Sequence, residues 1–246
     1  MLGHSILARA QRAGIVRFDV IDVRNWAEDP RRSVDDTPYG GGAGMVLKPE
    51  PIAAALRSSQ PPRPWIGLSP AGRPFHQAIA AELAATSGFT LVCGRYEGFD
   101  ARLEDAVFDE LLSVGDVVLQ GGEIAALLVV EAVVRLVPGV LGNQASVADE
   151  SFATHGLLEY PQYTRPQVFE GLTVPGVLLS GHHGEIARWR RAAALARTLQ
   201  RRPDLIERRG GLDPQEVELL ERYGYAELVT RWLEKQRVED EAHRSR

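Results

Sequence analysis

Three short loops in this chain have the residue types to hold a small ligand by main-chain hydrogen bonds. Leu68-Ser69-Pro70-Ala71-Gly72, Cys93-Gly94-Arg95-Tyr96-Glu97-Gly98 and Leu119-Gln120-Gly121-Gly122-Glu123 each follow an apolar run and are marked by glycine or proline. Ser113-Val114-Gly115-Asp116 precedes the last of them, so two glycine sites flank Val117–Leu119. Without a Cβ, glycine lets backbone amides approach a ligand edge such as an adenine ring or a methionyl carboxylate. These sites do not spell Gly-x-Gly-x-x-Gly, which argues against a dinucleotide fingerprint. A further loop, Tyr39-Gly40-Gly41-Gly42-Ala43-Gly44, has four glycines in five positions but not the Lys-Ser/Thr pair of a phosphate loop.

Other chemistries find little support. His182-His183 sit in a glycine-flanked turn, with no cysteine or acid at zinc-ligand spacing. The single cysteine, Cys93, excludes a disulfide framework and, at the end of an apolar run, reads as an inert core thiol. No serine or histidine stands in a nucleophile-elbow context.

The elements that must position these loops alternate. Ile15–Asp22, Trp65–Leu68, Phe89–Cys93, Asp109–Ser113 and Val117–Leu119 read as strands. Pro49–Ser59, His76–Thr86 and Glu123–Leu136 have helical spacing between and after them. That alternation predicts an α/β domain with a largely parallel sheet, whose ligands sit at the carboxyl ends of strands. Gly142–Thr154 is polar and aperiodic and reads as a flexible connection. Beyond it, Tyr160–Pro175 is rich in proline, and the chain reads helical from Gly184 onward. Asp213-Pro214-Gln215-Glu216 carries the signature of a helix start.

Composition is that of a globular enzyme: 246 residues, 44% hydrophobic and 25% charged, enough chain for one large domain or two modest ones. No apolar run has transmembrane length and the N-terminus lacks a signal-peptide layout, so the expected location is the cytoplasm. Net charge is −5, yet residues 182–246 hold 14 Lys+Arg against 12 Asp+Glu, while residues 1–181 hold 14 against 21. Six arginines and no acid lie between Arg188 and Arg202, a local basic stripe of the kind that contacts phosphate.

Taken in order, these segments resemble the bacterial tRNA (guanine-N1)-methyltransferases. The likeness is carried by Val34–Met45 with its glycine loop, by Leu68-Ser69-Pro70, Cys93–Gly98, Ser113–Asp116 and Leu119–Glu123, and further on by Pro138–Gly142, Tyr163-Thr164-Arg165-Pro166 and Leu178–His183. Each motif is weak alone; eight in order over nearly the whole chain are specific.

The resemblance implies an α/β fold of the SPOUT class, a parallel sheet knotted into a trefoil, with a small helical C-terminal domain. On that reading residues 1–141 form the S-adenosylmethionine-binding domain, 142–153 a flexible linker and 154–246 a helical tRNA-binding domain. The family's cofactor-binding loops fall here on Leu68, Ser69, Pro70, Gly94, Glu97, Ser113, Val114, Gly115, Val117, Leu119, Gly121 and Gly122. Its essential arginine falls on Arg135, and its catalytic aspartate on Glu150 with Asp149 just before, so either carboxylate is a candidate base.

The implied reaction moves a methyl group from S-adenosylmethionine to N1 of the guanine immediately 3′ of the tRNA anticodon. The implied assembly is a homodimer with shared active sites, and the family suggests magnesium, though no metal ligand is assigned. The family's initial strand and Phe-Pro-Glu-Met-Phe segment have no counterpart, so the expectation is a sheet lacking its first strand and a reading frame that extends upstream. Two rivals are a non-catalytic RNA-binding protein that keeps the fold and a same-fold methyltransferase acting on ribosomal RNA or a ribose hydroxyl.

Overall fold

The computed structural model describes residues 2–142, 150–153 and 156–244. The chain divides into two compact units, residues 1–144 and 145–246.

In the first unit a three-stranded parallel sheet is built from β3 (Trp65–Pro74), β4 (Thr90–Cys93) and β5 (Glu110–Ser113), with β3 in the centre. Before it come α1 (Ser5–Arg12), the two-residue strands β1 (Asp35–Asp36) and β2 (Val46–Leu47), and α2 (Pro49–Ser59). Helices α3 (Gln77–Ala84), α4 (Ala101–Ala106) and α5 (Glu123–Val134) follow β3, β4 and β5 respectively. Successive side chains of a strand face opposite sides, and β3 uses this fully. Trp65 joins Ile52, Leu56, Leu103 and Phe108 in one core; Ile66 and Leu68 join Ile79, Leu83, Leu112 and Val129 in the other. The sheet therefore has a hydrophobic layer on both faces, as the continuous apolar run of β3 requires.

Local chemistry explains the helix limits. Pro49 opens α2, where its missing N–H costs nothing, and Gln60 closes it in the left-handed region at φ +44°. The Asp100 carboxylate accepts from the Arg102 amide at the start of α4.

Two expected strands are not strands. Ile15–Asp22 has no sheet partner among the described residues; Val16 and Phe18 pack instead against α1 and the end of α5. Alternation of apolar residues reports a buried edge, and here a helix supplies the burial. Val117–Leu119 is an exposed loop, with Val118 94% exposed. Conversely, β3 is longer than its apolar run. Leu68 and Arg73 both pair with Leu112, so Ser69–Gly72 loops out of the ladder before pairing resumes. Gly72 permits this, since a Cβ there would lie 2.5 Å from the Leu112 amide nitrogen.

The second unit is helical, with α6 (His183–Arg201), α7 (Pro203–Arg208), α8 (Pro214–Arg222) and α9 (Ala226–Arg244). Its core gathers Leu157, Leu195, Leu199, Ile206, Leu220 and Val229. The helix start at Asp213 is a full capping box: the Glu216 amide donates to Asp213, and the Asp213 amide to the Glu216 carboxylate. The proline-rich segment hides a hairpin, β6 (Val168–Phe169) and β7 (Leu172–Thr173), turned through Glu170 and Gly171, both at positive φ as a type I′ turn requires. Of the expected linker, residues 143–149, Asp149 included, lie outside the described residues, as do 154 and 155.

Candidate functional site

The carboxyl ends of β3, β4 and β5 open into one cavity of about 330 Å³, within the range of small-molecule sites. Its walls are the loops that follow those strands. Ser69 and Pro70 come from the loop-out of β3, Gly94–Gly98 from the end of β4, Ser113–Gly115 from the end of β5, and Val117–Gly122 from the chain entering α5. All twelve residues assigned to cofactor binding in the sequence line this cavity, joined by Leu112 and Ala125 of the core.

Close backbone approach holds the loops together. The Gly122 amide donates to the Gly94 carbonyl at 2.8 Å, and Arg95 and Gly121 form an isolated antiparallel bridge. A Cβ on Gly122 would lie 2.9 Å from Cys93 Cα and 3.0 Å from Gly94 N, tighter than normal packing allows. Gly115, at φ +133°, turns the chain after β5, and the Ser113 hydroxyl accepts from its amide at 3.3 Å. Five glycines, at 94, 98, 115, 121 and 122, line the cavity, and where they lie no side chain covers the backbone N–H and C=O groups.

The glycine loop sits beside this cavity. Gly40, Gly41, Gly42 and Gly44 all have positive φ, and Gly44 lies against the Glu97 side chain. Two bonds fix the approach: the Glu97 amide donates to Met45 O and the Leu47 amide to Gly98 O, both at 2.9 Å.

Two residues of the expected loop Gly94–Glu97 had no role of their own assigned in the sequence. Arg95, which lines the cavity, pairs with Glu123 at 2.7 Å. Tyr96 holds a left-handed conformation at φ +59° while 55% exposed, a strained placement of the kind found at ligand sites. Its only sequence signal was its place between Arg95 and Glu97 in an otherwise glycine-bounded loop. Burial pushes the Cys93 thiol up to about 11, reinforced by Glu123, so it stays protonated beneath the cavity floor.

Arg135 is the C-terminal cap of α5 in the first unit. Glu150 belongs to the second unit, where it begins a turn.

The basic stripe on α6 is partly consumed internally. Arg188 pairs with Glu185 at 2.5 Å, Arg191 with the buried Glu216 at 2.6 Å, and Arg202 with Asp204 at 2.8 Å. Glu216 is also gripped by Arg209. The Arg190 guanidinium lies over the Tyr160 ring, 4.7 Å from its centre. Arg197 and Arg201, one turn apart and exposed, form no ion pair among the described residues.

Fold and cavity together define an α/β protein with a cavity of about 330 Å³ at the carboxyl edge of a parallel sheet. Residues 1–208 match the family model described as tRNA (guanine-1)-methyltransferase TrmD. The chain is 54% identical over 231 residues to the tRNA (guanine-N(1)-)-methyltransferase of Chloroflexus aggregans, covering 91% of this chain and 90% of that one. It is 55% identical over 207 residues to a Thermus thermophilus protein of the same name, covering 84% and 86%. The Frankia alni protein of that name matches at 55% over 207 residues, covering 82% and 78%. The chain belongs to the tRNA (guanine-1)-methyltransferase family.

Proposed function

We propose that this protein methylates N1 of a guanine in tRNA, the guanine immediately 3′ of the anticodon, with S-adenosylmethionine as methyl donor. The observation that supports this most is the convergence of all the family's cofactor loops on one glycine-walled cavity. The cavity fits the donor: its size suits a nucleoside with an amino-acid tail, and its exposed main chain suits the adenine edge and methionyl carboxylate. S-adenosylmethionine supplies an electrophilic methyl on a sulfonium. Glu97 places a carboxylate in the cavity wall, which favours binding of a cation.

Guanine N1 carries a proton and is a poor nucleophile while neutral. In this reading the Glu150 carboxylate accepts that proton as N1 attacks the methyl carbon, the carbon–sulfur bond breaks, and the thioether leaves neutral. Asp149 is the alternative base. Arg135 stabilises negative charge developing on O6, and alignment of N1 with the methyl carbon supplies much of the rate.

Phosphate contacts from α6 bring the RNA to the second unit. A homodimer is part of the same reading, supported by Val117, Val118, Leu119, Ile124 and Leu128, which leave an apolar face exposed around the start of α5. No described helix is long and apolar enough to cross a membrane, and a cytoplasmic location is part of the same reading, supported by the tRNA substrate it proposes.

The test is methyl transfer from labelled S-adenosylmethionine to tRNAs carrying guanine or adenine at the target position, with and without a magnesium chelator. Label appearing in N1-methylguanine, only with guanine present, is the expected result. Label in ribosomal RNA or on ribose, or no transfer at all, refutes the proposal.

A further inference from the structure

The residues around Glu150 are not a free connector. The Ala153 amide donates to the Glu150 carbonyl at 3.2 Å, closing a four-residue turn. Its third residue, Phe152, has φ +66°, where such turns normally take glycine. A bulky side chain holds this conformation only where its surroundings impose it. Two bonds impose it here: the Phe152 amide donates to Leu157 O at 2.7 Å, and the Glu159 amide donates to the Ser151 hydroxyl at 2.9 Å.

The segment at the other end of those bonds is itself anchored. Leu157 is buried in the core of the second unit. The Leu158 amide donates to the Thr198 hydroxyl at 3.0 Å, and that hydroxyl, fully buried, donates to Ala194 O at 2.7 Å within α6. A line of hydrogen bonds therefore runs from the backbone of Glu150 into the helical core.

We propose that Ser151, with the Phe152 turn, is a positioning residue for the Glu150 carboxylate, fixing it to the body of the second unit. This rests on Glu150 being the base. The Ser151 hydroxyl is the side-chain atom that ties the turn to residue 159, so its removal breaks that tie and loosens the turn, leaving the backbone bond from Phe152 to Leu157, while the Glu150 carboxylate itself is retained. A displacement of about 1 Å in a catalytic group can cost on the order of a hundredfold in rate.

Single-turnover methylation on the full-length protein tests this with Ser151→Ala, Ser151→Thr, Glu150→Gln and the Ser151→Ala/Glu150→Gln double variant. Ser151→Ala is expected to slow methyl transfer by roughly tenfold to a hundredfold, with KM for tRNA and donor little changed. Threonine keeps the hydroxyl and recovers most of the rate. In the Glu150→Gln background Ser151→Ala causes no further loss, because a residue acting only through Glu150 has nothing left to position.

Equal loss in both backgrounds, or no recovery with threonine, overturns the proposal in favour of a general folding role. A slow Glu150→Gln protein with an unaffected Ser151→Ala protein overturns the positioning alone. A Glu150→Gln protein as fast as wild type refutes the base assignment, and the positioning role with it.

Discussion

Replacing Gly122 by alanine sets two opposing effects against each other, and the structure predicts which wins. Gly122 caps the start of α5 with φ −73° and ψ −6°, a conformation alanine adopts freely. The lower chain entropy of alanine in the unfolded state would by itself make the variant more stable, by up to about 1 kcal/mol. The new Cβ, however, would sit 2.9 Å from Cys93 Cα and 3.0 Å from Gly94 N. Those atoms are backbone of β4 and the loop after it, so relief requires moving one loop away from the other. Overpacking of this kind costs about 1–3 kcal/mol. Separation would stretch the 2.8 Å bond from Gly122 to Gly94 O, and losing that bond adds about 1 kcal/mol.

The net expectation is destabilisation of about 1–3 kcal/mol, a drop in melting temperature of roughly 3–10 °C for a chain of this size. Because both loops line the cavity, donor affinity should fall by about tenfold or more, since even 1.4 kcal/mol of binding energy is a factor of ten. Scanning calorimetry and titration calorimetry with S-adenosylmethionine measure the two effects. A Gly122→Ala protein that melts at or above the wild-type temperature and binds the donor normally would refute the close-approach argument.

The remaining tests lie in the second unit. Arg197→Ala and Arg201→Ala should each reduce the slope of log affinity for tRNA against log salt by about 1, read by filter binding at several salt concentrations. Arg191→Ala should instead lower thermal stability, because it strips the buried Glu216 of one of its two guanidinium partners. Hydrogen bonds from Arg188 and Tyr223 hold the Glu185 carboxyl down at about 2, below its ordinary 4.5. A depressed folded value adds stability above the unfolded value, and that contribution is lost as pH falls from about 4.5 towards 2. Acid unfolding of Glu185→Gln should therefore show a weaker pH dependence across that window than wild type, and identical curves would contradict it.

What the sequence determined by itself was local. The limits of α2, the start of α8 at Asp213, and the turn-forming character of the glycine loops depend on neighbours within a few residues. Proline at a first turn, a carboxylate three residues before its amide and a missing Cβ act wherever they occur. The order of motifs along the chain also carried the family.

Only the tertiary structure decided which apolar runs became strands. Ile15–Asp22 and Val117–Leu119 have strand-like composition, but a strand exists only when a partner far along the chain offers a ladder. For Val16 and Phe18 the partner was a helical surface, and for Val118 it was none among the described residues. The loop-out of β3 at Ser69–Gly72 likewise depends on Leu112 pairing twice, which no local pattern encodes. The six arginines from Arg188 to Arg202 looked alike in sequence. Acids at Glu185, Asp204 and Glu216 sorted them into structural and exposed cations, and for Glu216, 25 residues from Arg191, folding alone made the pairing.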